Sequence, residues 1–402
     1  MDEAIPALSD TFLPPTVRGT ADLTTFAYHG NGYAELLDRI GPATEAAADV
    51  YDRAIACQLV FRRSEGLSLQ DQALEINQIY RIGGAPKGAL RLLALVSPGD
   101  LMTNTPLDFL TNHLNVRLDL LYILQDRPLP PVIPEHDVAF FAVGEANPPE
   151  IERLRRLFAR WPRPVLNNPE FLPVMERDTL SQTLAGVPGL LSPAAVAVDG
   201  LGLEAHLQYG TPIVGFDRPN GPYPCLIRPL TSHAGTGLAR VDSPADLAKY
   251  LLLSFDRRFF LTEFEDYQSA DGLYRKSRVA FIDREPFLCH MAISARWMVH
   301  YLNAGMTESA EKRAEEERAM AHFDEGFAWR HAAAFEALHE RLGLDYYSID
   351  CAETRDGRLL VFEADSAAII HLMDPPDLFP YKHIQMRRVF AAFEAMLRSR
   401  VN

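Results

Sequence analysis

The chain has 402 residues and a formal net charge of -15, with 48% hydrophobic and 23% charged residues. This length exceeds one ordinary hydrophobic core, so two or three domains are expected. The acidic balance and the lack of a lysine and arginine cluster argue against a nucleic-acid partner, and no stretch reaches the roughly 20 apolar residues that span a bilayer. No basic and apolar leader opens the chain, so we expect a cytoplasmic protein without a membrane partner.

The first part of the chain is predicted to be helical. Segments 34–40, 46–63 and 67–82 lie between glycine breaks and carry apolar residues spaced by three and four. We therefore predict a helical N-terminal module over residues 1–88.

From Leu90 the sequence changes to short apolar runs, RLLALV, LDLLYIL and HDVAFFAV, separated by turns or helical segments. This alternation predicts a small parallel α/β domain over residues 89–195. No G-x-G-x-x-G follows the first run, which excludes a dinucleotide site of that kind. P-loop, H-E-x-x-H and G-x-S-x-G motifs are also absent.

From residue 196 onward, predicted strands outnumber helices and are mainly antiparallel, which gives an overall α+β fold class. We divide this region into a small subdomain, 196–265, and a large subdomain, 266–402. The cysteines are far apart and mostly lie in apolar runs, so we predict buried free thiols: Cys57, Cys225, Cys289 and Cys351.

The most informative segment is a hairpin between residues 346 and 365, turning at Arg355, Asp356 and Gly357. Strict alternation would place Tyr346, Ser348 and Asp350 on one face, and Leu359, Val361, Glu363 and Asp365 on one face. Converging carboxylates need a cation, and hard oxygen ligands suit magnesium bound with a nucleotide. The alternative is a solvated strand end whose acids face water.

Upstream, a strand ends at Arg228 and is followed by a loop of small residues. Glycines allow backbone N–H groups to approach phosphate oxygens, and an arginine can form paired hydrogen bonds with them. A plain hairpin turn is the alternative. The residues that we assign to the loop are Ser232, His233, Gly235, Thr236 and Gly237.

Two further segments carry polar residues on predicted strands. Lys276 and Arg278 share a strand face and could form a polyphosphate clamp. Beyond them, Arg296 could bind a substrate carboxylate and Trp297 could cover it, although packing on the core is an equal alternative for Trp297 and His300.

These segments together resemble the ATP-grasp superfamily, in particular carboxylate-amine ligases of the glutathione synthetase and ribosomal-protein glutamate ligase type. The likeness covers about residues 88–402 and implies an ATP-grasp fold preceded by a pre-ATP-grasp α/β domain. It implies that Asp350, Glu363 and Asp365 bind two magnesium ions, with Asp365 in the place of the usual asparagine. Thr179 stands where many members have a nucleotide lysine.

The resemblance also implies roles for the other segments. Glu263, Phe264 and Glu265 would form the hinge that holds adenine, and the glycine loop with Arg228 would hold phosphates. Lys276 and Arg278 would complete nucleotide binding, and Arg296 with Asn303 would lie on the acceptor side.

The activity implied by this likeness is ATP-dependent ligation of a carboxylate to an amine, releasing ADP and phosphate. The partners would be small-molecule or peptide carboxylates and amines, and a homodimer stays open. Two alternatives remain: an ATP-grasp kinase that phosphorylates a small acceptor, and a nucleotide-binding protein without turnover.

Overall fold

The computed structural model describes residues 3–84, 87–216, 218, 221–230, 232 and 235–401, and within these the strands form four sheets. The strands are β1 (Ala7–Ser9), β2 (Thr16–Val17), β3 (Ile79–Ile82), β4 (Leu90–Val96), β5 (Val116–Tyr122), β6 (Val132–Pro134), β7 (Val138–Phe141), β8 (Val165–Leu166), β9 (Leu190–Leu191), β10 (Ala195–Asp199), β11 (Cys225–Pro229), β12 (Ala239–Val241), β13 (Arg258–Glu263), β14 (Tyr274–Ile282), β15 (Glu285–Ser294), β16 (Tyr346–Glu353) and β17 (Leu359–Asp365).

Helices cover or join these sheets, which confirms the α+β class. They are α1 (Thr20–Tyr28), α2 (Tyr33–Ile40), α3 (Ala47–Leu59), α4 (Arg63–Ile76), α5 (Leu107–Thr111), α6 (Pro148–Arg160), α7 (Arg177–Thr183), α8 (Gly200–Tyr209), α9 (Pro244–Leu253), α10 (Ala310–Ala321), α11 (Ala332–Leu342) and α12 (Pro380–Ser399). Two 3₁₀ turns (Pro169–Met175 and Tyr301–Asn303) and a π-helical turn (Asp324–Ala328) lie between them.

The helices of the described chain include none with the length and apolar character needed to cross a membrane. All the cysteines are buried and free, as expected.

The N-terminal sheet has the strand order β2-β3-β5-β4-β7-β8. Its pairs are parallel except β3 with β5, which are antiparallel. Because β2 and β3 belong to this sheet, the predicted module of residues 1–88 is not a separate helical unit. Tyr51 of α3 stacks on Tyr80 of β3 with ring centroids 4.5 Å apart, and its hydroxyl lies 2.7 Å from that of Tyr122 on β5. The sequence prediction missed this because β3 continues an apolar periodicity that also fits a helix.

The small sheet has the order β10-β13-β11-β12, with all its pairs antiparallel. Helices α8 and α9 pack beside it and share one apolar core with its strands, to which Leu203, Leu247 and Phe259 contribute. Helix α9 begins as the sequence suggests, because Ser243 caps it and Pro244 occupies its first turn.

The large sheet has the order β15-β14-β16-β17-β9. Only β9 joins it in parallel, so residues 190–191, which we had assigned to the α/β domain, belong to this sheet instead. Helix α12 closes it: Phe393 contacts both Phe140 of the N-terminal sheet and Tyr346 of the large sheet. Residues of the N-terminal sheet and of the large sheet therefore pack together in two buried apolar cores.

The predicted hairpin of β16 and β17 is present, but one part of the prediction about its faces is wrong. Asp350 pairs with Glu363 and Cys351 pairs with Val361, which leaves Phe362 as an extra residue in a β-bulge. The bulge turns Leu359 and Val361 into the core on the opposite face from Glu363 and Asp365. Strict alternation could not predict this reversal.

Asn167 fixes the N-terminal sheet against the start of β16. Its amide group donates to Tyr346 O at 2.8 Å and accepts from Tyr346 N at 2.8 Å, and its own N–H donates to Asp345 Oδ2 at 2.7 Å. The residue is buried and has φ of 57°, a left-handed conformation that asparagine tolerates better than most residues.

Replacing Asn167→Ala is therefore expected to lower the free energy of unfolding by about 1–3 kcal/mol, because it leaves buried backbone groups of Tyr346 unpaired. Urea unfolding measures the change. Asn168→Ala is the matched control, since Asn168 only caps the following 3₁₀ turn. Equal losses of stability in the two variants would show that Asn167 does not hold the N-terminal sheet against β16.

Candidate nucleotide and phosphate site

The centre of the site is a row of charged residues across three neighbouring strands. Arg278 of β14 pairs in register with Asp350 of β16, which pairs with Glu363 of β17. Arg278 Nε donates to Asp350 Oδ1 at 2.8 Å and its Nη2 donates to Oδ2 at 3.2 Å. The predicted acids thus do converge, but with cations already among them.

Lys276 is the second cation on Asp350. Its Nζ lies 2.7 Å from Asp350 Oδ2, so both oxygens of this carboxylate are engaged. Burial alone would raise the pKa of Asp350, which is 4% exposed, but the Arg278 and Lys276 charges hold that pKa well below its ordinary value. The prediction that Lys276 and Arg278 share a face is confirmed.

Arg177, at the start of α7, is a site residue that the sequence reasoning missed. Its Nη2 donates to Glu363 Oε2 at 2.5 Å. Burial raises the pKa of Glu363, yet the Arg177 charge leaves it lowered overall. The resemblance singled out Thr179 in this segment as the position of a lysine in many members, and Arg177 lies two residues before it.

Asp365 completes the acidic set. Its Oδ1 accepts from Ala367 N at 2.6 Å, and it pairs in register with Ser348. Burial, together with the nearby Glu363 carboxylate, raises the pKa of Asp365 to about 6. A cation bound near Asp365 and Glu363 would stabilise the ionised form of both carboxylates.

The donor chemistry fits magnesium in part. Glu363 and Asp365 offer hard oxygens, the ligands that magnesium prefers. Asp350 has both oxygens held by cations, and within the described ranges no group of three or more histidine, cysteine or acidic side chains is placed to hold a metal. The assignment of all three acids as ligands stays a prediction, and Glu363 and Asp365 fit it better than Asp350 because each has only one carboxylate oxygen engaged.

Arg228 brings the small sheet to the same cluster. It is 7% exposed, and burial together with the neighbouring Arg177 charge lowers its pKa to about 10, while Glu363 acts in the opposite direction. Its Nε donates to Ser232 Oγ at 3.1 Å. The cleft between the two sheets therefore holds guanidinium groups from both sides.

The loop after Arg228 joins β11 to β12. Gly235 and Gly237 have φ of 75° and 68°, and a side-chain carbon at Gly237 would lie 2.7 Å from Pro229 Cδ, so glycine is required there. Thr236 lies in the same turn, and Tyr250 Oη donates to Gly237 O at 2.7 Å. His233, which we also assigned to this loop, lies outside the described residues.

The predicted hinge begins at Glu263, the last residue of β13. Arg218 Nε lies 3.0 Å from Glu263 Oε1, and burial raises the pKa of Glu265. The Phe264 ring lies between Arg240, 4.0 Å from its centroid, and Trp297, 5.7 Å away centroid to centroid. The hinge thus forms an aromatic contact between the two subdomains.

The residues predicted to lie on the acceptor side, Arg296 and Asn303, make no contact with the charged row among the described contacts. Arg296 is exposed, and Asn303 accepts from His300 N at 3.2 Å, which makes it a cap of the 3₁₀ turn. His300 lies near the cluster, since burial and the Lys276 charge lower its pKa. His300, to which we had assigned no role, therefore lies within electrostatic reach of the cluster, whereas the roles of Arg296 and Asn303 on the acceptor side stay predictions.

His290 lies beside the charged row on β15. It pairs in register with Arg278, and its ring centroid is 4.7 Å from that of Tyr301. Burial and the Arg278 charge lower its pKa well below the ordinary value, so the imidazole is neutral at neutral pH.

The chain is similar to solved ATP-grasp proteins. One is a RimK domain ATP-grasp protein from Sphaerobacter thermophilus, with 17% identity, 77% of this chain and 99% of that chain covered, and a TM-score of 0.39. Another is the VanG D-Ala:D-Ser ligase from Enterococcus faecalis, with 14% identity, 77% and 99% coverage, and a TM-score of 0.45. A third is a D-alanine–D-alanine ligase from Bacillus anthracis complexed with ATP, with 12% identity, 75% and 99% coverage, and a TM-score of 0.40.

No protein-family model matches the chain, and no curated protein matches it in sequence. These identities and TM-scores are low, so the likeness says nothing about the chemistry of this site.

Arg177→Gln is expected to weaken ATP binding by about 10-fold, because a charge-assisted hydrogen bond contributes about 1.5–3 kcal/mol. Isothermal titration with ATP and magnesium measures this. Arg156→Gln, on the exposed side of α6, is the control and should leave the affinity unchanged. Unchanged affinity in Arg177→Gln would remove this arginine from the nucleotide site.

Proposed function

We propose that this chain is an ATP-dependent carboxylate-amine ligase of the ATP-grasp type that works through an acylphosphate. The observation that carries the proposal is the row Arg278–Asp350–Glu363, joined by Arg177 and facing the buried Arg228 of the small sheet. A cleft with guanidinium groups on both walls and carboxylates in its floor suits a polyphosphate bound with a divalent cation.

Each part of the cleft has a role in this proposal. The hinge of Glu263, Phe264 and Glu265 would hold the adenine, and the glycine loop would close over the phosphates. Arg228, Arg278 and Lys276 would neutralise phosphate oxygens, with Lys276 and Arg278 exchanging part of their contact with Asp350 for the ligand. Glu363 and Asp365 would hold magnesium, which when bound offsets the phosphate charge.

The reaction has two transfers. A carboxylate oxygen attacks the γ-phosphorus of ATP, the bond to the β–γ bridging oxygen breaks, and ADP leaves. The amine then attacks the acyl carbon, loses a proton, and expels inorganic phosphate. Closing the loop would exclude water, which would otherwise hydrolyse the acylphosphate.

A second candidate, nucleotide binding without turnover, is favoured by one observation. Asp350 is fully ion-paired, and the described residues gather no three-acid metal site. Tight ATP binding without ADP release in any substrate pool would support this candidate.

Incubation with ATP, magnesium, hydroxylamine and a panel of amino and hydroxy acids tests the main proposal. Hydroxylamine should trap the acylphosphate as a hydroxamate, with one ADP formed for each hydroxamate. AMP formation would contradict the proposal. A stable phosphorylated product formed without any amine would identify a kinase instead.

A further inference from the structure

A cavity of about 960 Å³ lies on the other face of the large sheet. Successive side chains of β14 point to opposite faces: Ser277 lines the cavity, whereas Lys276 and Arg278 bind Asp350. Helix α10 and the π-helical turn Asp324–Ala328 contribute to its walls. None of the residues that we assign to nucleotide or metal binding lines it, so it is a separate site.

The cavity has a cationic wall in an acidic chain. Its charged lining residues are Arg275, Arg318, Arg330 and Arg355 with Glu315 and Glu353. Both acids already have cationic partners: Glu315 pairs with Arg275, and Glu353 Oε2 lies 2.9 Å from Arg330 Nη2.

Arg318 has no ion pair or hydrogen bond to its guanidinium within the described part of the chain. Hydrogen bonds from His331 and Arg330 also keep the pKa of Glu353 lowered. Arg275 and Arg355 also have acidic partners outside the lining, Asp271 and Asp266, so Arg318 is the lining arginine that keeps its charge available for an added anion.

Ser277 gives an independent indication of a ligand. The residue is only 8% exposed, no side-chain hydrogen bond from it occurs among the described residues, and its oxygen is not among the fully buried unpaired atoms, so the hydroxyl is open to the cavity. A ligand oxygen in the cavity would supply the missing partner.

The rest of the lining is apolar. Leu288, Met291, Phe323 and Phe327 line the cavity beside these polar groups. Phe327 lies in the π-helical turn, a rare conformation that occurs frequently at functional sites. Apolar walls with a small number of polar groups are typical of pockets for small organic ligands.

We propose that this cavity binds an organic anion with a flat apolar body. Arg318 and Arg330 hold the anionic group, the Ser277 hydroxyl donates to it, and the body packs against Phe323 and Phe327. The inference does not depend on the ligase reaction, because the two sites lie on opposite faces of the sheet.

Fluorescence titration of the full chain with anilinonaphthalene sulfonate, an aromatic anion, tests the proposal. We expect saturable binding at one site that ATP with magnesium does not displace. Arg318→Gln and Arg330→Gln should each weaken binding by about 10-fold, and Ser277→Ala by roughly 3-fold. Arg387→Gln, an exposed arginine on α12 away from the cavity, is the matched control and should bind as the unmodified chain does.

Ala319→Phe, which places a ring into the cavity, should abolish binding. Thermal melting checks that this variant folds, and if it does not, the arginine variants decide. Equal affinity in the Arg318, Arg330 and control variants would overturn the proposal, as would displacement of the probe by ATP.

Discussion

Asp350→Asn is expected to lower the free energy of unfolding by about 3–5 kcal/mol, because it removes the partner of two cations in a largely buried cluster. Asp350 engages Arg278 through both oxygens and Lys276 through one of them. An amide in its place can still accept hydrogen bonds, but it supplies no charge.

Urea unfolding of the isolated variant measures the effect. The matched control is Glu353→Gln, which removes an acid on the same strand whose side chain is 36% exposed. Its partly exposed pair with Arg330 contributes at most about 1 kcal/mol, and its hydrogen bond with His331 contributes about 1 kcal/mol more, which is still below the loss expected for Asp350→Asn. If both variants lose the same small amount, the Asp350 cluster is not a structural ion-pair network.

Glu363→Gln is expected to reduce ATP turnover by roughly 100-fold or more, which corresponds to about 2.7 kcal/mol of transition-state stabilisation. Glu363 meets Asp350 in register, pairs with Arg177 and is one of the acids left for magnesium. Because its ion pair is partly exposed, with side chains 28% and 31% accessible, stability should change little.

ADP release under saturating ATP, magnesium and the carboxylate found by hydroxamate trapping provides the measurement. Glu317→Gln, an exposed position on α10, controls for the loss of one negative charge. Turnover by Glu363→Gln at the unmodified rate would remove this acid from the catalytic site.

The sequence predicted the hairpin and the shared face of Lys276 and Arg278 because strand periodicity and turn residues are local signals. It did not predict the bulge at Phe362, which is fixed by how β16 and β17 pair and not by any residue type in β17. It also assigned β3 to a helical module, although β3 pairs with a strand about 40 residues later. Pairings at long range leave no mark in local periodicity.

In the candidate site, too, local sequence signals did not reveal the long-range contacts. The acids Asp350, Glu363 and Asp365 were found because they lie on one hairpin. Arg177 was missed because it reaches Glu363 across 186 positions in the chain. The sequence likewise gave no sign that Asp350 is neutralised by its neighbours on β14, since only the register of three strands brings those charges together.

The most direct test of the proposed reaction follows the carboxylate oxygen. The substrate identified by hydroxamate trapping is labelled with heavy oxygen in its carboxylate and supplied with ATP, magnesium and its amine. One labelled atom should appear in the released phosphate, because the oxygen that attacks phosphorus stays with it when the amine displaces it. Unlabelled phosphate accompanying amide formation would contradict the acylphosphate route.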